Sequence, residues 1–345
     1  MASIFQRDSS EPYLISKLMS KFDSPGLPNG TKMIICDIDK TYIETNFESI
    51  VSMAKIAFEE ATEKQTVDGA AELLRSLYWE ATEKPASIHF VSASPPQMKT
   101  VLAEKLANDR IPWQTITFKN QAYNLKKGRM SALKRHAVYK NASILSILAS
   151  KPQTTTLTLI GDNAELDGFI YSGIKFLMDR TLSKEGYKEY VSLVADDPST
   201  VHQLDQYIDN NINCKVSDIY IRSLSNYPLD DFSLLNSGIV VFENYFTVYC
   251  NMILKDMVKP TNLWNNVKIY HNIYGISQTA LNRDLWNLHT NGNAATRKIA
   301  AECIEKLKNA TSPEPKPPRP DSSSNLSESE ILAGARQWLQ KAKHH

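Results

Sequence analysis

The sequence predicts an α/β domain built on a doubly wound parallel sheet, followed by an appended helical region. The first observation is that short apolar, strand-like runs alternate with segments of helical periodicity, as in sheets whose parallel strands are connected by helices. The second is that these runs are apolar almost throughout, as expected for strands buried on both faces. The third is the change to helical patterns after about residue 226, which predicts the appended region.

The elements of the predicted domain follow a lead-in over residues 1–30. The lead-in is predicted to contain one short helix at 13–22, ended by the breakers in SPGLPNG. The strand candidates are, in order, MIICDI, SIHFVSAS, TLTLIGDN and SDIYIRSL. The helical segments are predicted at 47–82 with a break near 68–69, at 96–108, at 131–149 and, as a helical insertion, near 172–216. Together these elements predict one domain over 31–225.

A helical region and a linker are predicted after this domain. The helical region covers 226–310, and its clearest segments are 234–257 and 294–309. Aromatic side chains recur at helical spacing in the first segment, and core packing is favoured for them over a surface for acyl chains: Phe242, Tyr245, Phe246 and Tyr249. Residues 311–326 are rich in Pro and Ser, which predicts an extended linker without a core.

A tail helix is predicted over 327–345. Ser327 and Glu330 fit a capping box at its start. The apolar side chains behind it form one stripe, made of Ile331, Leu332, Ala335, Trp338, Leu339 and Ala342. The stripe leaves two alternatives open, contact with a membrane or partner and docking on the protein's own domain. The shortness of the stripe favours docking.

Composition favours a soluble, cytoplasmic protein. Lys and Arg together number 39 against 38 acidic residues, so electrostatic recognition must come from local clusters of charge. The four cysteines are far apart and lack metal-type spacing, which is typical of reduced thiols. The N-terminal residues contain no apolar signal core, and the most hydrophobic stretch, 239–254, is too short and too polar to span a bilayer.

The candidate site begins in the run MIICDIDKTYIET at 33–45. An apolar strand ends here on Asp37-x-Asp39-x-Thr41, and open α/β sheets bind ligands at the carboxyl ends of their strands. One carboxylate of such a pair can attack a phosphate while the other moves a proton. The spacing therefore predicts a phosphotransfer site.

Further polar residues follow other strand candidates, where such a site needs them. Ser92 ends the second strand, so its hydroxyl and the nearby N–H groups can reach a phosphate. Lys140 is placed at the start of the helix before the third strand and supplies a cation. Asp162 and Asp167 follow the third strand. The carboxylates cannot all stay ionised together without a cation, and oxygen ligands beside a phosphate predict Mg²⁺.

These motifs, in this order and at these strand ends, resemble the haloacid-dehalogenase (HAD) superfamily over roughly 30–225. The resemblance implies a HAD-like Rossmannoid fold and a phosphatase with an aspartyl-phosphate intermediate. It implies that Asp37 is the nucleophile and a metal ligand. Asp39 would protonate the leaving oxygen, activate water and ligate the metal through its carbonyl. The other implied site residues are the phosphate-binding Thr41 and Ser92, the phosphate-stabilising Lys140, and Asp162 and Asp167 at the metal.

The strings between the motifs resemble a narrower group, the catalytic domain of the actin-patch type of phosphatidate phosphatase, to which the lipins are more distant relatives. These strings are VDGAAELLRSL, HFVSASPPQM, YKNASI, LIGDNAELDGFIY and DIYIRSL. The resemblance implies a role in lipid metabolism, with phosphatidate or a related anionic phospholipid at a membrane surface as substrate.

Some positions depart from that family's pattern. Lys40 stands where the family usually has Asp or Gly, Tyr139 replaces a His, and Ala164 replaces a Gly. Residues 172–216 are also longer than the family's connection. Lys40 is interpreted either as selecting a different head group or as pointing to solvent.

Substrate access and local charge keep other substrates open. Segments 42–86 and 95–139 are too short for a separate lid, which predicts little or no cap and a site open to a lipid, a protein or a nucleic-acid end. A basic segment lies between Asp109 and Asp162 and contains no acid; its cations are Arg110, Lys119, Lys126, Lys127, Arg129, Lys134, Arg135, Lys140 and Lys151. It fits a membrane, a phosphodiester backbone or a solvated face.

Two alternative functions therefore remain open beside the phospholipid phosphatase. One is a HAD phosphatase of nucleic-acid ends or phosphoproteins that uses the same site. The other is a binding module without activity, which is disfavoured because all the carboxylates of the site remain.

Overall fold

The computed structural model describes the greater part of the chain. The described ranges are 19–23, 32–45, 64–119, 129–150, 155–195, 198–208, 212, 214–225, 227, 231–307 and 326–342. For 19–23 and 129–136 only the backbone is described.

A seven-stranded sheet forms the centre of the protein. Its strands are β1 (Met19–Asp23), β2 (Lys32–Asp37), β3 (Ser87–Ser92), β4 (Thr115–Lys119), β5 (Thr155–Asp162), β6 (Cys214–Arg222) and β7 (Val240–Phe242). The order across the sheet is β1-β4-β3-β2-β5-β6-β7. Strands β2 to β7 are parallel, whereas β1 pairs antiparallel with β4. The predicted parallel α/β fold is confirmed.

The strand order reverses beside β2. The chain first builds outward through β3 and β4, then returns to the other side of β2 with β5 and continues to β6 and β7. Such a reversal leaves a crevice between the carboxyl ends of the two strands that flank it, here β2 and β5. Asp37 ends β2 and Asp162 ends β5, so the two predicted site residues lie at this crevice.

Helices cover both faces of the sheet. They are α1 (Ala70–Trp79), α2 (Lys99–Asn108), α3 (Arg129–Ala149), α4 (Asp167–Met178), α5 (Lys184–Ser192), α6 (Tyr245–Leu254), α7 (Leu263–Asn272), α8 (Gln278–Asn291), α9 (Ala294–Lys306) and α10 (Glu328–Ala342). Successive side chains of β2 point to opposite faces of the sheet. Ile34 and Cys36 therefore pack in one hydrophobic cluster, together with side chains of α1, α2 and α6 to α9. Met33 and Ile35 enter the other cluster, with α3, α4, α5 and α10.

The predicted helix at 13–22 is wrong where it can be compared. Residues 19–23 form β1, which pairs along the whole of β4 from Met19 opposite Lys119 to Asp23 opposite Thr115. The physical reason is the open edge of β4, whose unpaired backbone groups are satisfied by an added strand. Residues 13–18 lie outside the described residues.

The predicted helix at 234–257 is wrong over its first part. Val240–Phe242 form β7 on the open edge of β6, because the apolar, β-branched run there suits a buried strand better than a helix. The helix begins only at Tyr245, and the side chain of Asn244 caps it by accepting a hydrogen bond from the amide of Thr247. The region 226–310 thus contributes a strand and shares one hydrophobic cluster with the sheet.

Most of the other helix predictions agree with the structure. Helices α2, α3 and α9 match their predicted segments within a few residues, and the stretch 172–216 contains α5 and a 3-10 helix, Pro198–Gln206. Helix α1 occupies the second part of the segment 47–82. Residues 46–63 of that segment lie outside the described residues.

The tail helix α10 docks on the protein's own domain. Its predicted capping box is formed, since the Ser327 amide donates to Glu330 Oε2 at 2.8 Å and the Glu330 amide donates to Ser327 Oγ at 3.4 Å. Trp338 is 2% exposed, donates from Nε1 to the carbonyl of Asp231 at 3.0 Å and stacks on Phe232. Of the two alternatives left open by the sequence, the structure has the docked one.

In the part of the chain that the structure describes, no helix combines the length and the apolar character needed to cross a membrane.

Candidate active site

Three buried carboxylates meet at the crevice between β2 and β5. Asp37, Asp162 and Asp167 each place one oxygen within 4.8 Å of the others, and each side chain is at most 1% exposed. Asp167 starts α4, and a Cβ at Gly161 would lie only 2.3 Å from its Oδ2 atom. The glycine of the GDN motif is therefore needed because the Asp167 carboxylate lies against its backbone.

Lys140 joins this cluster as the predicted cation. Its Nζ lies 2.8 Å from Asp37 Oδ1, 2.5 Å from Asp167 Oδ1 and 2.8 Å from Glu165 Oε2. Burial opposes its charge, but Asp167, Asp37 and Glu165 outweigh burial and raise the pKa of Lys140 well above its usual value. The predicted position at a helix start is wrong: Lys140 lies in the middle of α3, whose 21 residues begin at Arg129.

Asp39 is held apart from the three-carboxylate group. Ser92 Oγ donates to its Oδ2 at 3.0 Å, and Ser94 Oγ donates to the same oxygen at 3.1 Å. Burial, followed by the charge of Glu165, raises the pKa of Asp39 to about 6, although both serine hydrogen bonds act in the opposite direction. A carboxyl group with such a pKa is suited to exchange protons near neutral pH.

The two predicted phosphate-binding hydroxyls both donate to carboxylates. Ser92 Oγ bonds Asp39, and Thr41 Oγ1 donates to Asp162 Oδ2 at 3.0 Å. Both hydroxyl groups are fully buried. The structure thus brings Thr41 and Ser92 to the crevice and uses them there to orient site carboxylates; their contact with phosphate stays a prediction, as does metal ligation by the carbonyl of Asp39.

The residues of the cluster fit a hard divalent cation. Asp37 Oδ2 is buried and accepts no hydrogen bond within the described part of the chain. Burial, opposed in part by Lys140, raises the pKa of Asp37 well above its usual value, and burial together with Asp167 raises the pKa of Asp162 to about 7. The excess of negative charge is seen in the contacts themselves, because the single ammonium of Lys140 faces Asp37, Asp167 and Glu165. Oxygen-only donors of this kind suit Mg²⁺.

Two residues of the site were not among the predicted ones. Glu165 pairs with Lys140, and Ser94 bonds Asp39. Each had a signal in the sequence, because Glu165 lies between Asp162 and Asp167 in the GDNAELD string, and Ser94 follows Ser92 by two residues.

The basic segment is described only in part. Of its cations whose side chains are described, Lys119 and Lys140 are buried, and Arg110 is exposed. The others lie where the side chain or the whole residue is outside the described part: Lys126, Lys127, Arg129, Lys134, Arg135 and Lys151. The prediction of little or no cap also depends on residues 46–63 and 120–128, which are likewise outside it.

The strands and helices that form this site lie in a part of the chain that is similar to known proteins. Residues 32–179 match a family model described as the catalytic domain of phosphatidate phosphatase APP1. An uncharacterized protein of Schizosaccharomyces pombe is 27% identical over 171 residues, a stretch that is 49% of this chain and 27% of that protein. The chain thus spans about a quarter of the length of this relative.

A chain in a solved structure of the Pnkp1/Rnl/Hen1 complex is a weaker match. It is 15% identical, the alignment covers 41% of this chain and 42% of that chain, and the TM-score is 0.27. A likeness at this level supports no argument about fold or function.

The family match covers β2 to β5 and α4, and so includes Asp37, Asp39, Thr41, Ser92, Lys140, Asp162 and Asp167. The resemblance that the motifs predicted is confirmed for this part of the chain. Residues 32–179 are thus similar to the catalytic domain of phosphatidate phosphatase APP1, which is one of the HAD-like phosphatases.

Proposed function

We propose that this domain hydrolyses phosphomonoesters with Mg²⁺ through an aspartyl-phosphate, and that its substrate is phosphatidate or a related anionic phospholipid. The observation that supports the chemistry best is the arrangement around Asp37. One of its carboxylate oxygens pairs with Lys140 at 2.8 Å, while the other accepts no hydrogen bond within the described part of the chain. Asp37 ends β2 beside the crevice, and an unpartnered carboxylate oxygen there is available to attack phosphorus.

In the first step Asp37 attacks the phosphorus atom and the bond from phosphorus to the leaving oxygen breaks. Asp39 donates a proton to that oxygen, for which its raised pKa is suited. In the second step a water molecule attacks the phosphorus of the aspartyl-phosphate and gives a proton to Asp39. The acyl phosphate bond breaks, inorganic phosphate leaves, and Asp37 is restored as a carboxylate.

The other side chains position these groups and balance charge. Ser92 and Ser94 orient the Asp39 carboxylate, and the ammonium of Lys140 offsets part of the charge of Asp37 and of the phosphoryl oxygens. Asp37, Asp162 and Asp167 would hold Mg²⁺, whose charge would stabilise the phosphoryl group as bonds to phosphorus form and break.

The substrate class rests on the family match over 32–179. With a lipid substrate, the protein would work in the cytoplasm as a peripheral enzyme at membrane surfaces. Attachment to a membrane is itself proposed and is not based on the basic segment, because the side chains of that segment's cations at 126–135 lie outside the described part of the chain.

Phosphate release would test the function. Wild-type protein and Asp37→Asn are compared on phosphatidate in mixed micelles, a 3′-phosphorylated oligonucleotide and a phosphopeptide, each with Mg²⁺ or EDTA. We expect Mg²⁺-dependent release from phosphatidate by the wild type and none by the variant. Release from the oligonucleotide or peptide alone would overturn the lipid substrate, and no release from any of the three would favour a binding module.

A further inference from the structure

The turn that contains Asp39 and Thr41 is tightly folded. The amide of Lys40 donates to the carbonyl of Ile43 at 2.8 Å, and the amides of Tyr42 and Ile43 both donate to the carbonyl of Ile38. Lys40 has a φ of 61°, in the left-handed region that residues other than glycine rarely adopt. Such a conformation persists only where the surrounding structure holds it.

Contacts from outside the family match hold this turn. Tyr245 lies at the start of α6, and its hydroxyl donates to the carbonyl of Thr41 at 2.6 Å. Both residues are fully or almost fully buried. The Thr41 side chain in turn donates to Asp162 Oδ2 at 3.0 Å. Thr41 thus connects α6 to Asp162 of the candidate metal site through these two hydrogen bonds.

Two further residues hold the turn through Lys40. Arg222, at the end of β6, donates from one guanidinium nitrogen to the carbonyl of Lys40 at 2.6 Å and from another to Glu44 Oε1. The Lys40 ammonium donates to the hydroxyl of Tyr227 at 2.6 Å and lies 4.6 Å from the centre of its ring. The Lys40 side chain is therefore bound within the protein, which argues against the interpretation that it points to solvent.

Tyr227 is itself fixed beside the site. Its carbonyl accepts a hydrogen bond from Asn163 Nδ2 at 2.8 Å, and Asn163 directly follows Asp162. The amide of Leu224 donates to Asn163 Oδ1 at 2.9 Å. The side-chain amide of Asn163 therefore binds the chain after β6 through both its oxygen and its nitrogen. The contact from Lys40 to Tyr227 therefore joins the turn after β2 to the chain after β6, with the end of β5 between them.

We propose that Arg222, Tyr227 and Tyr245 are positioning residues, which hold the turn so that Asp39 and Thr41 meet the substrate and Asp162 in a productive orientation. All three lie beyond residue 179, where the family match ends. The inference rests on the proposed function for its effect on catalysis, whereas its effect on the turn is independent of the reaction. It assigns a role to the region that follows the matched domain.

Tyr245→Phe is the sharpest test, because it removes one hydroxyl and keeps the ring. Tyr249→Phe is the matched control: Tyr249 lies one turn further along α6, is equally buried, and its hydroxyl accepts a hydrogen bond from Asn266 at 3.0 Å. The full chain is used for both variants. The measurements are amide hydrogen exchange over residues 37–45, binding of Mg²⁺ without substrate by calorimetry, and kcat and KM for the substrate that the wild type hydrolyses.

We expect Tyr245→Phe to speed exchange in the turn, to weaken Mg²⁺ binding by about tenfold and to lower kcat by about 10- to 100-fold with little change in KM. Tyr249→Phe should change none of these. Unchanged exchange in Tyr245→Phe would overturn the proposal, as would faster exchange with wild-type Mg²⁺ binding and kcat. Equal effects in both variants would also overturn it, because they would reflect only the packing of α6. If the wild type hydrolyses no phosphate ester, the proposed function fails, while exchange and Mg²⁺ binding still decide the role of Tyr245.

Discussion

The ammonium of Lys140 lies 2.8 Å from the carboxylate of Asp37, and both side chains are only 1% exposed. This ion pair is enclosed among further acids, since Asp167 and Glu165 contact the same ammonium. A buried charge of this kind is costly unless it is paired, so the lysine and the carboxylates depend on one another. The consequences of that dependence can be measured.

Replacing Lys140 should destabilise the protein strongly. Lys140→Met leaves three acids facing one another without their cation, and loss of one partner of a buried pair costs about 3–5 kcal/mol. The measurement is the free energy of unfolding by urea in EDTA. The matched control is Lys175→Met, which removes a partly exposed pair with Asp179 and should cost about 1 kcal/mol or less. Equal losses in the two variants would contradict this account.

Divalent cations should stabilise the wild type in the absence of any substrate. A ligand that binds only the folded state adds about 2.7 kcal/mol when its concentration is 100 times Kd. A thermal scan with increasing Mg²⁺ should therefore show a rising Tm. Asp162→Asn should remove most of the rise, whereas Asp179→Asn, beyond the far end of α4, should keep it. A rise of equal size in Asp162→Asn would place the cation elsewhere.

Ser94 should affect the rate more than substrate binding. Its hydroxyl is one of two that orient the Asp39 carboxylate, and a hydrogen bond to a charged group contributes about 1.5–3 kcal/mol. Ser94→Ala should lower kcat by about tenfold or more, with KM nearly unchanged. Ser87→Ala, at the opposite end of β3, serves as the control and should match the wild type. An effect of Ser94→Ala on KM alone would assign the residue to substrate binding.

Trp338 should contribute to stability rather than to membrane contact. It is 2% exposed and packs on Phe232 and Phe169, and truncation of a buried aromatic side chain costs about 3–5 kcal/mol. Urea unfolding of Trp338→Ala is compared with that of Trp79→Ala, whose side chain is 68% exposed and whose loss should change stability by about 0.5 kcal/mol or less. Wild-type stability in Trp338→Ala together with lost binding to phosphatidate liposomes would instead favour a membrane role for the tail helix.

The sequence by itself determined the parallel α/β class and the residues at the ends of the central strands. The alternation of apolar runs with helical periodicity reflects which side chains are buried. It predicted β2, β3, β5 and β6 without information on the strands with which they pair. Because the carboxyl ends of parallel strands meet at one edge, the positions of the acids after β2 and β5 in the sequence were enough to place them together. The capping box of α10 was equally local, since it involves residues three apart.

Only the tertiary structure decided which elements cover the open edges of the sheet. The edge strands β1 and β7 were predicted as helices, because their own residues contain no information on a neighbouring strand whose edge is unpaired. The place of Lys140 within α3 needed no tertiary information, because the helix predicted at 131–149 already has this residue near its middle and α3 agrees with that segment.

Tyr245 shows the same limit within the site. Its helical spacing predicted a core aromatic residue, and it is buried as predicted, but its hydroxyl reaches the carbonyl of Thr41, 204 residues earlier in the chain. Periodicity reports that a side chain is buried, whereas the atom that its polar end contacts depends on long-range packing. The sequence therefore determined the chemical groups of the site, and the tertiary structure decided which residues hold them in place.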